Sequence, residues 1–244
     1  MQENSKPAKI RIKNLAISYS GRKILSGVNA EIPEKSITCL SGTSGQGKTS
    51  LLMCINRLID ETKGADVSGS IKISMDGKDE DILKKGTNIP WLRKKIPLVL
   101  QAPSPLPMNI YKNMSFPLRI AGVYDRKKSP GLIEEALKRT GLWDEVKDRL
   151  GDDPKKLSGG QIQRLCIARA VVMNPEIILL DEPSASLDNY NSGLISEMMK
   201  EIKKTCTVIA VTHNQEIIGK TADIIFEVKP VSEKPGGCSS LFKV

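Results

Sequence analysis

The stretch Ser41-Gly42-Thr43-Ser44-Gly45-Gln46-Gly47-Lys48-Thr49 decides the fold of this chain. Its fixed positions match the phosphate-binding template G-x-x-x-x-G-K-[ST]. A short apolar run, 36–40, precedes it as a predicted strand, and an apolar run of good helix formers, 50–58, follows it. Glycines let backbone N–H groups turn toward phosphate oxygens, and the helix N-terminus adds a partial positive charge. The stretch therefore predicts a nucleotide site, in which Lys48 reaches the β- and γ-phosphates and the Thr49 hydroxyl ligates Mg²⁺.

Length and composition indicate one globular domain, with or without a subdomain. The chain has 244 residues, of which 39% are hydrophobic and 27% charged, as in soluble proteins. Aromatic residues make up only 4%, which weakens any case for base stacking on nucleic acid. The net charge of +9 is spread over short clusters with no continuous basic stripe. We interpret it as a solvated surface rather than as a face for nucleic acid or membrane.

Cysteine spacing and hydropathy indicate in which cellular compartment the chain is expected. The five cysteines form no C-x-x-C pair and no metal-ligand spacing, and four lie in apolar segments. We therefore expect buried thiols in a reducing compartment. The sequence has no apolar signal core near its N-terminus and no apolar run of the ~18–20 residues that a membrane span needs. These features predict a cytosolic chain that reaches any membrane through a partner.

Two alternating apolar and polar segments, 10–17 and 23–32, predict antiparallel strands ahead of the phosphate loop. Tyr19, at the end of the first, either stacks on an adenine ring or is an ordinary strand aromatic. Residues 67–75 predict another strand, followed by a turn and a charged loop as far as Pro90. A short strand is predicted at 96–100, and Gln101 follows it.

The middle of the chain predicts a mostly helical insert, about 101–157. Its first part, from Ala102 to Pro117, carries four prolines, which indicate a stiff surface loop rather than a long helix. Residues 130–150 have apolar side chains at helical spacing. On this interpretation the insert divides one nucleotide-binding domain, 1–244, into core parts at about 1–100 and 158–244.

Leu157-Ser158-Gly159-Gly160-Gln161 stands directly before a predicted helix that runs through Ala170. Ser158 is a good N-cap residue, and consecutive glycines at a helix start allow N–H groups to face an anion. The same residues are also typical of an ordinary helix N-cap followed by glycines, with no ligand-binding role.

Acidic residues and the only histidine follow two predicted parallel strands. The apolar run 177–180 closes on Asp181 and Glu182, at the sheet edge where doubly wound folds bind ligands. Asp181 is suited to the Mg²⁺ shell, and Glu182 is suited to taking a proton from water. His213 follows the buried strand 207–211 at the same edge, which favours a functional role over a structural one.

In this order and spacing, the motifs resemble the ATP-binding cassette (ABC) family over nearly the whole chain. The resemblance implies an α/β fold, with a P-loop NTPase (RecA-like) core, an antiparallel β subdomain and a helical subdomain. It implies that two copies pair head to tail around two ATP molecules, so that residues 158–161 of one copy meet the γ-phosphate held by Lys48 of the other. Hydrolysis would then depend on closure of the dimer.

The resemblance also implies a role for individual residues. Glu182 would be the general base, His213 would hydrogen-bond the γ-phosphate, and Gln101 would sense the metal and the nucleophilic water. The implied metal ligands are Thr49, Gln101 and Asp181. The implied ATP-binding residues are Tyr19, Gly42, Thr43, Ser44, Gly45, Gln46, Gly47, Lys48, Thr49, Ser50, Ser158, Gly159, Gly160, Gln161 and Asp188.

Further segments look like the ATP-binding subunits of prokaryotic phosphate importers, among them Cys54-Ile55-Asn56-Arg57-Leu58 and residues 142–150. This implies an ATPase coupled to phosphate import, with ATP and Mg²⁺ bound. It also implies two transmembrane permease subunits, an extracytoplasmic substrate-binding protein acting indirectly, no nucleic acid, and a peripheral position on the cytoplasmic face of the membrane. The proline-rich stretch after Gln101 would meet the permeases. The sequence departs from the family pattern at Thr49-Ser50, Leu100, Ala185 and the tail after Glu227.

Three alternatives stay open at this point. The first is the same kind of ATPase serving another transported substrate. The second is a soluble cassette protein acting on nucleic acid or ribosomes, although such proteins usually carry two cassettes or a long coiled-coil insert. The third is a small-molecule phosphotransferase, which offers no role for residues 157–161.

Overall fold

The computed structural model describes residues 6–185, 189–231 and 237–244. The described strands are β1 Ala8–Tyr19, β2 Arg22–Pro33, β3 Ile37–Ser41, β4 Ala65–Met75, β5 Lys78–Asp81, β6 Leu98–Val99, β7 Ile177–Asp181, β8 Thr207–Val211, β9 Ile224–Pro230 and β10 Ser239–Lys243. The described α-helices are α1 Lys48–Ile55, α2 Ile89–Lys95, α3 Ile110–Ile120, α4 Ser129–Arg139, α5 Trp143–Val146, α6 Gly159–Val171, α7 Asn189–Lys203 and α8 Gln215–Thr221. Short 3₁₀ turns lie at Leu58–Glu61, Lys147–Arg149 and Pro154–Lys156.

Within the described residues the strands form one sheet in the order β5-β4-β1-β2-β10-β9-β3-β8-β7-β6. One half is antiparallel, with β1 paired to β2 and to β4. The other half is parallel, with β3 between β9 and β8, and β7 between β8 and β6. Strands β3, β7 and β8 therefore end at one edge, which places the residues that follow them close together.

Strand β7 is buried on both faces. Ile178 and Leu180 pack with the helices of the 110–171 segment and with α7, whereas Ile177 and Leu179 pack with α1, α2 and the antiparallel strands. Successive side chains of a strand point to opposite faces. Two-sided burial therefore explains why β7 is a continuous apolar run rather than an alternating one.

The proline-rich segment is helical in its second half, so the predicted loop from Ala102 to Pro117 is wrong there. Helix α3 begins at Ile110, after an Asn109 N-cap whose side chain accepts from the Lys112 N–H. Pro117 lies inside this helix, where proline costs about 3 kcal/mol. Ile110, Met114 and Leu118, one apolar stripe at spacing four, are buried in the core. We attribute the helix to the burial of this stripe, which outweighs the cost of the proline.

Other elements also differ from the sequence predictions. The segment predicted as a charged loop to Pro90 contains β5, which pairs with β4 as a hairpin, and the start of α2. The strand predicted at 96–100 is only two residues long. Elements α8, β9 and β10 were not predicted, and β10 inserts between β2 and β9. The predicted buried cysteines are confirmed, because Cys39, Cys54, Cys166 and Cys206 are buried.

Among the residues that the structure describes, no helix is both long and apolar enough to span a membrane.

Candidate functional site

The phosphate loop has two glycine positions, Gly42 and Gly47, at which the backbone conformation favours glycine and no space remains for a side chain. Gly42 has φ of +130° and Gly47 has φ of +93°, values that side-chain-bearing residues rarely adopt. A Cβ on Gly42 would lie 2.5 Å from the Val228 carbonyl oxygen, and a Cβ on Gly47 would lie 2.7 Å from Ile24 Cγ2. The loop therefore lies directly against strands β2 and β9, with its backbone turned toward the cavity.

Lys48 is the first residue of α1 and is buried. Its Nζ donates hydrogen bonds to the carbonyl oxygens of Gly42 and Thr43, each at 2.7 Å. Burial lowers the pKa of the Lys48 ammonium, and the nearby Glu182 and Asp181 carboxylates act in the opposite direction. The ammonium group is thus held inside the loop, next to two acids.

Thr49 and Asp181 come together across two elements. The Thr49 hydroxyl donates to Asp181 Oδ2 at 2.9 Å. Burial raises the pKa of Asp181, and the charge of Glu182 raises it further, while the hydrogen bond from Thr49 partly offsets both. A cation bound here would neutralise the charge of the buried Asp181 carboxylate.

Glu182 follows Asp181 at a sharp turn of the chain after β7. Its φ is +46°, in the left-handed region, and its N–H donates to the Val211 carbonyl at 2.9 Å. His213 Nδ1 lies 3.0 Å from both carboxylate oxygens of Glu182. Within the described residues, Glu182 Oε2 is buried and has no hydrogen-bond partner. The contacts with His213 therefore hold the Glu182 carboxylate in place at the cavity lining.

These residues line one cavity of about 1150 Å³. The cavity brings together the predicted residues Tyr19, Gly42, Thr43, Ser44, Gly45, Gln46, Gly47, Lys48, Thr49, Ser50, Gln101, Asp181, Glu182 and His213. Gln101 is exposed where it lines the cavity. The Tyr19 hydroxyl donates to Ser50 Oγ at 3.0 Å, so the aromatic ring is tied to helix α1.

The cavity also contains lining residues that sequence reasoning missed, among them Ile24, Gln215, Glu227, Val228 and Val244. Gln46 was expected, but the structure adds that its buried Oε1 has no partner among the described residues. Strands β2, β9 and β10 bring most of these side chains to the phosphate loop through long-range pairing. No local pattern in the sequence signals that pairing.

The other predicted ATP-binding residues lie elsewhere. Among the described residues that line the cavity, none belongs to 157–161. Ser158 caps helix α6 in a capping box, accepting from Gln161 N–H while the Gln161 side chain accepts from Ser158 N–H. A Cβ on Gly160 would lie 2.5 Å from Asn191 Oδ1. The predicted ATP-binding residue Asp188 lies outside the described residues.

A divalent cation in the cavity would need ligands other than a cluster of protein acids. In the described part of the chain, no group of three or more His, Cys, Asp or Glu side chains has the arrangement of a metal site. The residues that fit are Thr49, Asp181 and Gln101. A hydroxyl, a carboxylate and an amide suit Mg²⁺, which keeps water and substrate phosphates as its other ligands.

Residues 25–185 match the family model described as "ABC transporter". The chain is 42% identical over 214 residues to the phosphate import ATP-binding protein PstB 2 of Aliivibrio fischeri, covering 88% of this chain and 77% of that protein. It is 46% identical over 207 residues to the phosphate import ATP-binding protein PstB 1 of Nitrosococcus oceani, covering 85% and 73%.

Solved structures show the same architecture. The fold is similar to that of cbiO1 from Clostridium perfringens, part of the ABC transporter complex cbiONQ, with a TM-score of 0.78, 30% identity and coverage of 96% of this chain and 87% of that one. It is also similar to the ATP-binding cassette MJ0796, solved as a dimer in a post-hydrolysis state bound to ADP and Pi, with a TM-score of 0.74, 27% identity and coverage of 96% and 98%. These similarities confirm the predicted α/β class with a P-loop NTPase core.

Proposed function

This chain belongs to the ABC transporter family, and from that premise we propose that it is the ATP-hydrolysing subunit of an importer for inorganic phosphate. The observation that carries the ATPase activity is the single cavity shared by Lys48, the Thr49–Asp181 pair and the Glu182–His213 pair. The phosphate cargo is supported by the two phosphate import ATP-binding proteins, which match most of this chain.

The cavity fits a nucleoside triphosphate. Its volume of about 1150 Å³ is ample, and the glycine-rich loop from Gly42 to Thr49 lines it. Lys48 Nζ would exchange the Gly42 and Thr43 carbonyls for β- and γ-phosphate oxygens without leaving the loop. Tyr19, held by Ser50, provides an aromatic face for the adenine ring.

The Thr49–Asp181 pair fits Mg²⁺. We propose that Thr49 ligates the ion directly, while Asp181 and Gln101 hold its coordination shell. Bound there, Mg²⁺ would neutralise charge on the β- and γ-phosphate oxygens. Burial raises the pKa of Asp181, and a bound cation would lower that pKa again.

Glu182 is the residue placed to activate water. Its carboxylate lines the cavity and would accept the proton from water, and His213 orients the carboxylate through the 3.0 Å contact. The two neighbouring acids have different partners, Thr49 for Asp181 and His213 for Glu182, which supports a metal role for the first and a base role for the second.

The site in one chain is incomplete. Residues 158–161, with a helix N-terminus suited to an anion, lie outside the cavity. We propose that a second copy of the chain supplies them, so that two ATP molecules are enclosed between two cassettes. Conditional closure would link hydrolysis to the movement of attached subunits.

A second, apolar groove is suited to the permease subunits. It measures about 600 Å³ and is lined by Leu98, Leu100, Pro103, Leu106, Phe116 and Ile120, among others. Leu100 and Ile120 are large hydrophobic residues left exposed. We propose that each cassette docks here on a transmembrane permease subunit, at the cytoplasmic face of the membrane, and that a substrate-binding protein acts from the other side.

Reconstitution tests the proposal. The chain, its permease subunits and the binding protein are placed in lipid vesicles, and ATP hydrolysis and uptake of radiolabelled phosphate are measured. We expect phosphate-loaded binding protein to stimulate both, and a matched complex carrying Glu182→Gln to show neither. Hydrolysis without phosphate stimulation or uptake would contradict the cargo, whereas a wild-type chain that hydrolyses no ATP would contradict the whole proposal.

A further inference from the structure

A hydrogen-bonded cluster surrounds the start of helix α6. The Ser158 N–H donates to Gln161 Oε1 at 2.8 Å, and the Gln161 N–H donates to Ser158 Oγ at 3.3 Å. This pairing uses the oxygen of the Gln161 amide, so the amide NH₂ group must find an acceptor on the opposite side.

Glu145 on α5 provides that acceptor. Gln161 Nε2 donates to Glu145 Oε2 at 2.5 Å, and Arg164 donates to Glu145 Oε1 at 2.7 Å. Arg164 also donates to the Gly141 carbonyl at 2.6 Å, just before α5. One carboxylate therefore joins the 141–145 segment to two successive turns of α6.

The electrostatics of this contact favour the ionised carboxylate. Burial raises the pKa of Glu145, but hydrogen bonds from Arg164 and Gln161 outweigh it and hold the pKa below its ordinary value. The Arg164 side chain is only 3% exposed. A buried guanidinium needs a charged partner, and Glu145 supplies it.

We propose that Glu145 is a positioning residue for the hydrolysis reaction: it holds the Gln161 amide in the one orientation that completes the capping box, and so fixes the Ser158 hydroxyl and the N–H groups of Gly159 and Gly160. This inference rests on the proposed function, in which those groups meet the nucleotide of a second copy. Without the carboxylate the amide is free to rotate, and the Ser158 side chain is free to leave its N-cap position.

Hydrolysis by the full-length chain, at a concentration that allows dimers, provides the test. The variants are Glu145→Gln, which keeps the side-chain size, and Glu145→Ala. The matched control is Asp144→Ala, because Asp144 is the adjacent acid and contacts exposed Lys147. Circular dichroism and thermal unfolding establish the folded fraction of each preparation.

We expect Glu145→Gln and Glu145→Ala to lower kcat per folded molecule about tenfold, the size expected for the loss of one hydrogen bond to a charged group that positions the residues of the site. We expect ATP affinity of the dilute monomer and KM to stay within about twofold, because the phosphate loop is untouched. Asp144→Ala should match wild type. Adding Gln161→Ala to Glu145→Ala should cause little further loss, since both act through one contact.

Several outcomes would overturn the inference. An unchanged kcat per folded molecule in Glu145→Gln, with only a lower unfolding temperature, would reduce Glu145 to a structural role while the ATPase itself stands. Full additivity with Gln161→Ala would exclude action through the amide. A wild-type chain without ATPase activity would remove the proposed function and this inference together.

Discussion

At the residue scale, Asp181 and Glu182 show how neighbouring acids acquire different properties. Asp181 ends strand β7, buried beside Thr49, whereas Glu182 begins a turn with φ of +46°. A left-handed conformation at a non-glycine residue costs on the order of 1–3 kcal/mol. The strain is held by a hydrogen bond from the Glu182 N–H to Val211 and another from the Ala185 N–H to the Glu182 carbonyl. The buried carboxylate of Asp181 and the strained backbone of Glu182 therefore each lower the stability of the folded chain, while both carboxylates line the cavity.

Asp181→Asn should stabilise the nucleotide-free protein while impairing its function. Burial raises the folded-state pKa of Asp181. Its contribution to stability is thus present below the unfolded-state pKa and is lost as pH rises through the folded pKa, so at pH 7 the carboxylate is unfavourable. We expect the unfolding free energy of Asp181→Asn at pH 7 to be about 1 kcal/mol higher than that of wild type. The same variant should lose Mg²⁺-dependent ATP hydrolysis. Denaturant unfolding, with the exposed Asp66→Asn as control, measures the gain; a less stable variant would contradict this electrostatic account.

Lys48→Ala should weaken ATP binding, because it removes a charge-assisted contact worth roughly 1.5–3 kcal/mol. Titration with a fluorescent ATP analogue measures the affinity, which should fall about tenfold or more at that energy. Lys63→Ala, an exposed lysine outside the cavity lining, serves as the control. Equal affinities for Lys48→Ala and wild type would remove Lys48 from the phosphate site.

At the element scale, helix α3 organises the loop that precedes it. Asn113 on α3 is fully buried. Its Oδ1 accepts from the Leu106 N–H at 2.8 Å and from Arg169 at 3.1 Å, and its Nδ2 donates to the Met108 carbonyl at 2.7 Å. One side chain thus joins α3, α6 and the loop that lines the apolar groove.

Asn113→Ala should lower the unfolding free energy by about 2 kcal/mol, because it leaves buried backbone groups and Arg169 without partners. It should also reduce coupling to the permeases more than ATP binding, because its partners Leu106 and Arg169 line the apolar groove and not the nucleotide cavity. Thermal unfolding and vesicle uptake measure the two effects. Lys112→Ala, an exposed neighbour, is the control, and equal stability of the two variants would contradict the prediction.

A second contact between elements involves Glu176, just before β7. It accepts from Lys9 on β1 at 2.7 Å and from Lys95 on α2 at 2.8 Å. Burial raises the pKa of Glu176, but these two lysines outweigh it and lower the pKa. A depressed carboxyl pKa contributes stability above the unfolded-state value, and that contribution disappears as pH falls through the folded value.

Glu176→Gln should therefore be less stable than wild type at pH 7, by about 1 kcal/mol. The difference should shrink as the pH falls below about 4, where the wild-type carboxylate also takes up a proton. Denaturant unfolding across this pH range measures it. A difference independent of pH would show that the lysine contacts are not its cause.

At the scale of the whole molecule, residues 158–161 lie outside the cavity that the phosphate loop lines, and we propose that a second copy of the chain supplies them. Glu182→Gln should bind ATP and accumulate as a dimer. The two copies would close around ATP, but the variant lacks the base needed for the hydrolysis that reopens the dimer. Size-exclusion chromatography with light scattering measures the mass with and without ATP. The same variant carrying Lys48→Ala should stay monomeric, and an ATP-independent dimer would contradict the link between closure and nucleotide.

Local features of the sequence predicted the strand, loop and helix around residues 41–55 and the buried strands β7 and β8. A strand, a glycine loop and a helix are adjacent in the chain, so residues 41–58 specify their own geometry, and the apolar runs of β7 and β8 identify buried strands. Periodicity did not predict β5, α2, α8, β9 or β10. These elements are short, and their formation depends on partners distant in the chain.

Only the tertiary structure decided how the residues of the site hold one another. Three contacts of the site join segments that are separate in the chain. They are the close approach of the Val228 carbonyl to Gly42, the hydrogen bond from Tyr19 to Ser50, and the hydrogen bond from Gln161 to Glu145. The same is true of Ile110, Met114 and Leu118, whose burial makes a helix around Pro117. Sequence alone specifies which groups are chemically able to bind phosphate, because that depends on residue type and local conformation. Which groups contact one another depends on strand pairing and packing over long distances, and no local pattern encodes these.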